Sequence, residues 1–340
     1  MLADYHIHTE FSDDSVYPME DVIRDAVQMG MEEICITDHV DYGVKKDWDQ
    51  GEISYRMGEP IANVYYPRYM EKIQQMKENW GDKIRIRIGM EFGVQRHTVP
   101  EFESLFQRYP FDFIILSIHQ VEDKEFWTQD FQRGKTQEEY NLGYYEELLA
   151  VIKKYKNYSV LGHMDLIARY DEAGIYPFEK IKPIVEKILR IVIAEEKGIE
   201  INTSSHRYGL QDTMPSTDIL KLYRDLGGKI LTIGSDSHRP EQLGVYCERL
   251  IICMFRCVFR LPVISERPVD SPVFTVHTVF FQKFPRMTRF LKETFLLQKQ
   301  ICIGKEPQDP AVQNAAFYCL FIKLQVIAQP PVISAVRFIP

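Results

Sequence analysis

The chain has 340 residues, of which 45% are hydrophobic and 26% charged, with a formal net charge of -8. That composition is too apolar for a disordered chain and allows one large α/β barrel or two smaller domains. The acidic balance argues against a nucleic-acid backbone or a membrane surface as partner, and it suits an anionic substrate only if bound metal makes the site locally positive.

The opening MLADYHIHTE has neither a basic nor an apolar leader segment, and no run of about 18 apolar residues occurs, so neither secretion nor a membrane span is expected. Six cysteines without a C-x-x-C pair point to free thiols in a reducing, cytoplasmic setting.

The first apolar run, residues 3–8, reads as a strand ending in His6 and His8. Positions i and i+2 of a strand share a face, so two imidazoles can converge on one cation. Asp13 and Asp14 follow in the turn F-S-D-D-S, where carboxylates more often cap a helix or meet solvent. A helix is predicted over 19–29. The second strand, 33–38, runs into T-D-H, which puts Asp38 and His39 at its end; capping of a turn is the plainer role for Asp38. Beyond it lie Tyr42 and Trp48, then a predicted helix over 66–79. The third strand, 84–92, ends at Glu91 in G-M-E-F, with His97 past it in a polar loop and read as an ordinary histidine. The fourth, 112–119, closes on His119 in S-I-H, with Trp127 in the loop that follows. Taken singly, Glu91 and His119 are each readable as ordinary, satisfied polar residues.

A helix over 137–154 precedes the fifth strand, 159–164, where G-H-M-D repeats the i, i+2 pattern with His163 and Asp165; Arg169 follows in L-I-A-R-Y. After a helix over 177–196, the sixth strand, 199–204, runs into N-T-S-S-H-R-Y, which carries His206 and Arg207. A helix over 217–226 and a seventh strand, 229–235, lead to G-S-D-S-H, with Asp236 and His238. Strands alternating with helices predict a parallel sheet, and seven units in about 240 residues suit a closed barrel. The C-terminal ends of barrel strands open onto one face. Ligand-type residues recurring at strand end after strand end therefore predict one multinuclear metal centre. Nitrogen and carboxylate donors without thiolate suit Zn, Mn or Fe. Arginine's planar fork suits phosphate, so Arg169 and Arg207 are candidates for an anionic ester, the alternative being surface arginines in loops.

Composition breaks after Tyr246. Residues 247–340 hold five of the six cysteines and nine of the 18 prolines, but only one of the 18 glycines, Gly304. They carry twelve Lys+Arg against six Asp+Glu, whereas residues 1–246 carry 29 against 43. Apolar stretches over 249–261 and 272–284 mix helical and strand periods and are cut by Pro262, Pro268, Pro272 and Pro285. His277 lies there outside any motif. The expected organisation is a barrel over 1–246 and an atypical tail over 247–340, either a frame-shifted or replaced end or a genuine extra segment.

Together, H-I-H-T-E-F-S-D-D-S, I-T-D-H-V-D-Y, G-M-E-F, S-I-H, G-H-M-D-L-I-A-R-Y and G-S-D-S-H-R-P-E-Q-L-G-V-Y resemble the polymerase and histidinol phosphatase (PHP) superfamily over residues 1–246, and within it the bacterial histidinol-phosphatases. The resemblance implies a distorted seven-stranded, TIM-like β/α barrel with three divalent metal ions. It implies one ion on His6, His8, Glu91 and Asp236. A second would sit on His119 and His163 with Glu91 bridging, and a third on His39, His238 and Asp14, or else Asp13. It implies that Arg169 and Arg207 grip the phosphate of a small-molecule phosphomonoester. A protonated His206 or a water would deliver the leaving-group proton, and Asp38 and Asp165 would orient ligand imidazoles. The implied reaction is hydrolysis of L-histidinol phosphate to L-histidinol and phosphate, in histidine biosynthesis. Two rival readings stay open: a nucleotide phosphoesterase or nuclease of the same superfamily, disfavoured by the acidic barrel, and a metal-binding barrel without catalysis. Neither nucleic acid nor membrane is an expected partner, and nothing in the residues indicates oligomeric state.

Overall fold

The computed structural model describes residues 2–247, apart from 50, 57 and 58. Beyond Cys247, the expected tail, with His277, lies outside the described residues. Seven parallel strands run in chain order: β1 (Ala3–Ile7), β2 (Glu33–Ile36), β3 (Arg85–Gly93), β4 (Phe113–Ser117), β5 (Val160–Leu161), β6 (Gly198–Asn202) and β7 (Leu231–Gly234), each hydrogen-bonded to the next. All residues of β2, β4 and β6 are buried; β4, F-I-I-L-S, reads as a near-continuous apolar run, while β6, G-I-E-I-N, buries Glu200 and Asn202 among its apolar residues.

The circle nearly closes between the last strand and the first. Ile7 and Ser237 form a parallel bridge, the Asp236 amide donates to the His6 carbonyl at 2.8 Å, and the His8 amide donates to the Ser237 carbonyl at 2.9 Å. Asp4, buried at this seam, accepts from the amides of Ser235 and Gly244 at 2.9 and 3.1 Å. Tyr5, Cys35, Phe113, Ile115 and Val160 pack as one cluster. Side chains from β1, β2, β4 and β5 meet this way across the barrel interior, which is thus a packed core rather than a pore.

Among the described residues, six helices accompany the strands: α1 (Met19–Gln28), α2 (Tyr66–Trp80), α3 (Val99–Arg108), α4 (Gln137–Lys154), α5 (Phe178–Ala194) and α6 (Thr217–Asp225). Five lie where the sequence predicts them. The start of α4 is set by a capping box between Thr136 and Glu139, and α5 buries Ile181, Val185, Ile188 and Val192 along one stripe. The additional helix is α3, a stretch for which no element is predicted from the sequence, and it contains Pro100. The proline sits in the first turn, where its missing N–H costs nothing, while Val99, Phe102 and Leu105 supply the buried face. Among the described residues, no helix is long and apolar enough to cross a membrane.

Candidate metal centre

Glu91, near the end of β3, is fully buried, and its two oxygens face different imidazoles. Oε2 lies 3.1 Å from His6 Nε2, 3.1 Å from His39 Nδ1 and 3.6 Å from His8 Nε2. Oε1 lies 2.7 Å from His163 Nε2 and 3.1 Å from His119 Nε2, and accepts the Ser117 hydroxyl at 2.7 Å. Asp236 Oδ1 is 3.3 Å from His8 Nε2 and 3.7 Å from His6 Nε2. Asp14 Oδ2 is 3.1 Å from His238 Nε2 and 3.4 Å from His39 Nε2. The nine residues proposed as ligands from the sequence are thus brought to one place. The turn presents Asp14 to the imidazoles, whereas Asp13 pairs with Lys45 Nζ at 2.6 Å.

The donor set fits cations. His6 Nε2, His8 Nε2, His39 Nδ1 and Glu91 Oε2 are buried without a hydrogen-bond partner, and polar atoms left so are costly unless something else satisfies them. Ligand atoms lie within 4.8 Å of one another in four overlapping groups: His8, His39 and His238; His6, Glu91 and His163; His6, His8 and Asp236; and His39, Asp41 and His119. Asp41 in the last group is a residue the sequence reading did not single out.

The charges explain why such a cluster calls for metal. Burial opposes the charged form of His119, yet the Glu91 and Asp41 carboxylates outweigh it and push the imidazole up to about 10. Against the same opposition, Asp14 and Asp236 raise His238 to about 9. His8 goes the other way, held well below the ordinary value by burial and by the neighbouring His238 and His39; its ring stacks on both at 4.2 and 4.3 Å. Burial pushes Glu91 up, but His6, His119 and His39 hold its carboxyl well below the usual range.

The orienting contacts are not the expected ones. Asp38 accepts from the Thr9 amide and hydroxyl at 2.6 and 2.8 Å and from the Ser12 hydroxyl at 2.7 Å. It therefore acts one step removed, since Ser12 Oγ lies 3.3 Å from His8 Nδ1. Asp165 accepts the Ser216 amide at 2.7 Å, just ahead of α6, and among the described residues it bonds no imidazole; burial pushes it up to about 7. The imidazoles are instead held by Glu200, 2.6 Å from His6 Nδ1, and by Asp41, 2.7 Å from His119 Nδ1. Lys45 lies 3.0 Å from Asp41. A charged residue inside the apolar run G-I-E-I-N, and Asp41 two places after His39, were the available signals. Two glycines make room for these pairs. A Cβ on Gly234 would overlap His6 Cβ and Glu200 Oε1, and one on Gly93 would overlap Asp41 Oδ1.

A cavity of about 150 Å³ opens over the cluster, and Arg169, Lys45, Glu125, Trp127, Tyr170 and Tyr208 are among its walls. Arg169 donates to Ser204 Oγ at 2.6 Å and lies 3.4 Å from Asp236 Oδ2. Arg207 differs from expectation. Its terminal nitrogens donate to the carbonyls of Ser235 and Asp236 at 2.8 and 2.6 Å, and it does not line the cavity. It braces Asp236, a non-glycine residue at φ 55°. His206 is also off the cavity, its ring edge-on to Tyr246 at 4.9 Å, a position that suits packing rather than proton delivery. Of the loop aromatics, Trp127 lines the cavity, while the Tyr42 hydroxyl bonds Asp47 and the Trp48 indole donates to the Asn63 carbonyl.

The PHP domain family model matches residues 4–204. The histidinol-phosphatase of Lactococcus lactis subsp. lactis (strain IL1403) is 33% identical over 257 residues, spanning 73% of this chain and 89% of that protein. The crystal structure of histidinol phosphate phosphatase from that organism, complexed with zinc, L-histidinol and phosphate, matches with a TM-score of 0.61 at 32% identity, covering 74% of this chain and 92% of that one. A Listeria monocytogenes structure at 21% identity shares the fold, with a TM-score of 0.57 over 72% of this chain and 98% of that one.

Proposed function

The chain belongs to the PHP domain family, and on that premise we propose that it is a histidinol-phosphatase, a phosphomonoester hydrolase that converts L-histidinol phosphate to L-histidinol and phosphate. The observation that carries this reading is the meeting of six imidazoles with Glu91, Asp236 and Asp14 under a cavity that Arg169 lines, in a fold whose Lactococcus lactis counterpart was crystallised with zinc, L-histidinol and phosphate.

His6, His8, Glu91 and Asp236 would hold one divalent ion, His119 and His163 with Glu91 a second, and His39, His238 and Asp14 a third. Zinc is the first choice, with manganese and iron compatible with the same donors. Bound ions in such a site supply Lewis acidity and activate water at neutral pH. The chain's own residues do the rest. Arg169 binds phosphoryl oxygens with its planar fork and offsets the charge that builds there. Glu200 and Asp41 fix the tautomers of His6 and His119 by accepting their Nδ1 protons. Arg207 keeps Asp236 in place through the backbone. Glu125, Trp127 and Tyr170 give the cavity an acidic and aromatic wall suited to the ammonium and imidazole of the histidinol moiety.

The test is phosphate release by the zinc- or manganese-loaded protein from histidinol phosphate, set against nucleotides and oligonucleotides. Turnover confined to histidinol phosphate and abolished by a chelator supports the reading. Hydrolysis of nucleotides alone would transfer the site to the nucleotide phosphoesterase reading, and bound metal without turnover to the non-catalytic one.

We also propose that residues 247–340 are a replaced end produced by a shifted reading frame. Cysteine, glycine and charge usage change together after Tyr246, and 73% of this chain already accounts for 89% of the Lactococcus lactis relative. Resequencing the coding DNA checks this. A neighbouring frame that continues into one more helix and a short strand supports it, and a single frame through residue 340 in independent isolates overturns it.

A further inference from the structure

The short turn after β6, T-S-S-H-R-Y, touches the phosphate-binding arginine from two sides. Ser204 is fully buried. Its hydroxyl accepts from Arg169 at 2.6 Å, lies 3.0 Å from Asp236 Oδ2, and is itself held by Asn202 Oδ1. It therefore links the arginine to a carboxylate of the metal cluster. Four residues on, the Tyr208 ring lies under the Arg169 guanidinium, 4.0 Å from ring centroid to the central carbon. One nitrogen is thus tethered and one face covered. Arg169 Nε remains buried without a protein acceptor, in a side chain that lines the cavity. A buried N–H of this kind wants an acceptor, and a phosphoryl oxygen in the cavity is one.

An arginine on its own stem has several rotatable bonds, and holding its fork in one plane costs side-chain entropy when ligand binds. A tether and a stacked ring remove that cost beforehand. We propose that Ser204 and Tyr208 are positioning residues that hold the Arg169 guanidinium in the plane that receives the substrate phosphate. This rests on the histidinol-phosphatase reading and on Arg169 as the phosphate group's partner. Neither Ser204 nor Tyr208 was indicated by the sequence, because each acts through a residue 35 or more places away in the chain.

The experiment measures inorganic phosphate affinity by calorimetry on the zinc-loaded full chain, with zinc content confirmed in every variant, and kcat/KM on histidinol phosphate alongside. Tyr208 is half exposed, so Tyr208→Leu is expected to fold. It should weaken phosphate binding about fivefold, the size of a cation–π contact at a partly exposed site, and Tyr208→Phe, which keeps the ring, should restore most of that loss. Ser204→Ala should weaken phosphate about tenfold or more, since a hydrogen bond to a charged group is lost. The deciding arm is a double-mutant cycle. Tyr208→Leu should have no further effect when added to Arg169→Ala, because a positioning residue has nothing left to position. Equal effects of Tyr208→Leu in both backgrounds, or unchanged phosphate affinity in Tyr208→Leu and Ser204→Ala, would overturn the inference. Absence of phosphate release from histidinol phosphate by the wild-type chain, or an Arg169→Ala variant with normal phosphate affinity, would instead overturn the functional reading.

Discussion

Glu91 sits between two sets of imidazoles because β3 delivers it to the strand-end face while β1 and the residues after β2, β4 and β5 each bring a histidine to the same point. Its neighbours set how firmly those imidazoles are aimed. Replacing Glu200 with alanine leaves His6 Nδ1 without its acceptor, and metal affinity is expected to fall about 10- to 100-fold. Zinc retained after dialysis against a weak chelator measures this, and retention equal to wild type would exclude an orienting role. Arg207→Lys exchanges a fork that bonds two carbonyls for a single ammonium. It should lower kcat/KM about tenfold through Asp236, whereas inorganic phosphate affinity changes little if Arg207 braces backbone rather than touching phosphate. At this scale the ligand-type residues other than Asp14, which lies in a turn, were legible because they end apolar runs. Glu200 and Asp41 gave weaker signals, because each acts through an imidazole far off in the chain, His6 and His119.

At the level of strands and loops, the site depends on backbones approaching closely at their C-terminal ends. Gly234, the last residue of β7, has no room for a methyl group between His6 and Glu200. Gly234→Ala should cost about 1–3 kcal/mol, as overpacking of a tight core does, and should release metal as His6 moves. Urea denaturation with zinc analysis tests both, and a variant as stable and as metal-rich as wild type would show that the strands have slack. All seven strands and five of six helices were readable from apolar runs and helical stripes. The missed one, α3, shows the limit of local rules: Pro100 signals a break in mid-helix but a start in the first turn.

Across the whole barrel, the cluster is a store of opposite charge whose behaviour reverses with metal. In the metal-free protein, His119 and His238 hold protons up to about 10 and about 9, against an ordinary value of 6.5. Their contribution to stability is complete below pH 6.5 and is lost as pH rises through 9 to 10. Metal takes the neutral imidazole, so its affinity rises over that same window. The melting temperature of chelated protein should therefore fall between pH 6.5 and 10 while that of the loaded protein holds or rises, and thermal scans with and without chelator read both. Activity of the loaded enzyme should fall below about pH 6 as ligand histidines protonate; a flat acid limb to about pH 4 would contradict ligation by imidazole. By itself the sequence determined where strands and most helices lie, which polar residues end the strands, and the family, since all of these are written in short stretches with a period or a motif. Only the tertiary structure decided that β7 returns to β1 so that Asp236 meets His6 and His8, that Asp14 rather than Asp13 faces the imidazoles, and that Arg169 lines the cavity while Arg207 does not. Those outcomes depend on hydrogen bonds between segments up to 240 residues apart, and no local pattern carries the identity of a distant partner.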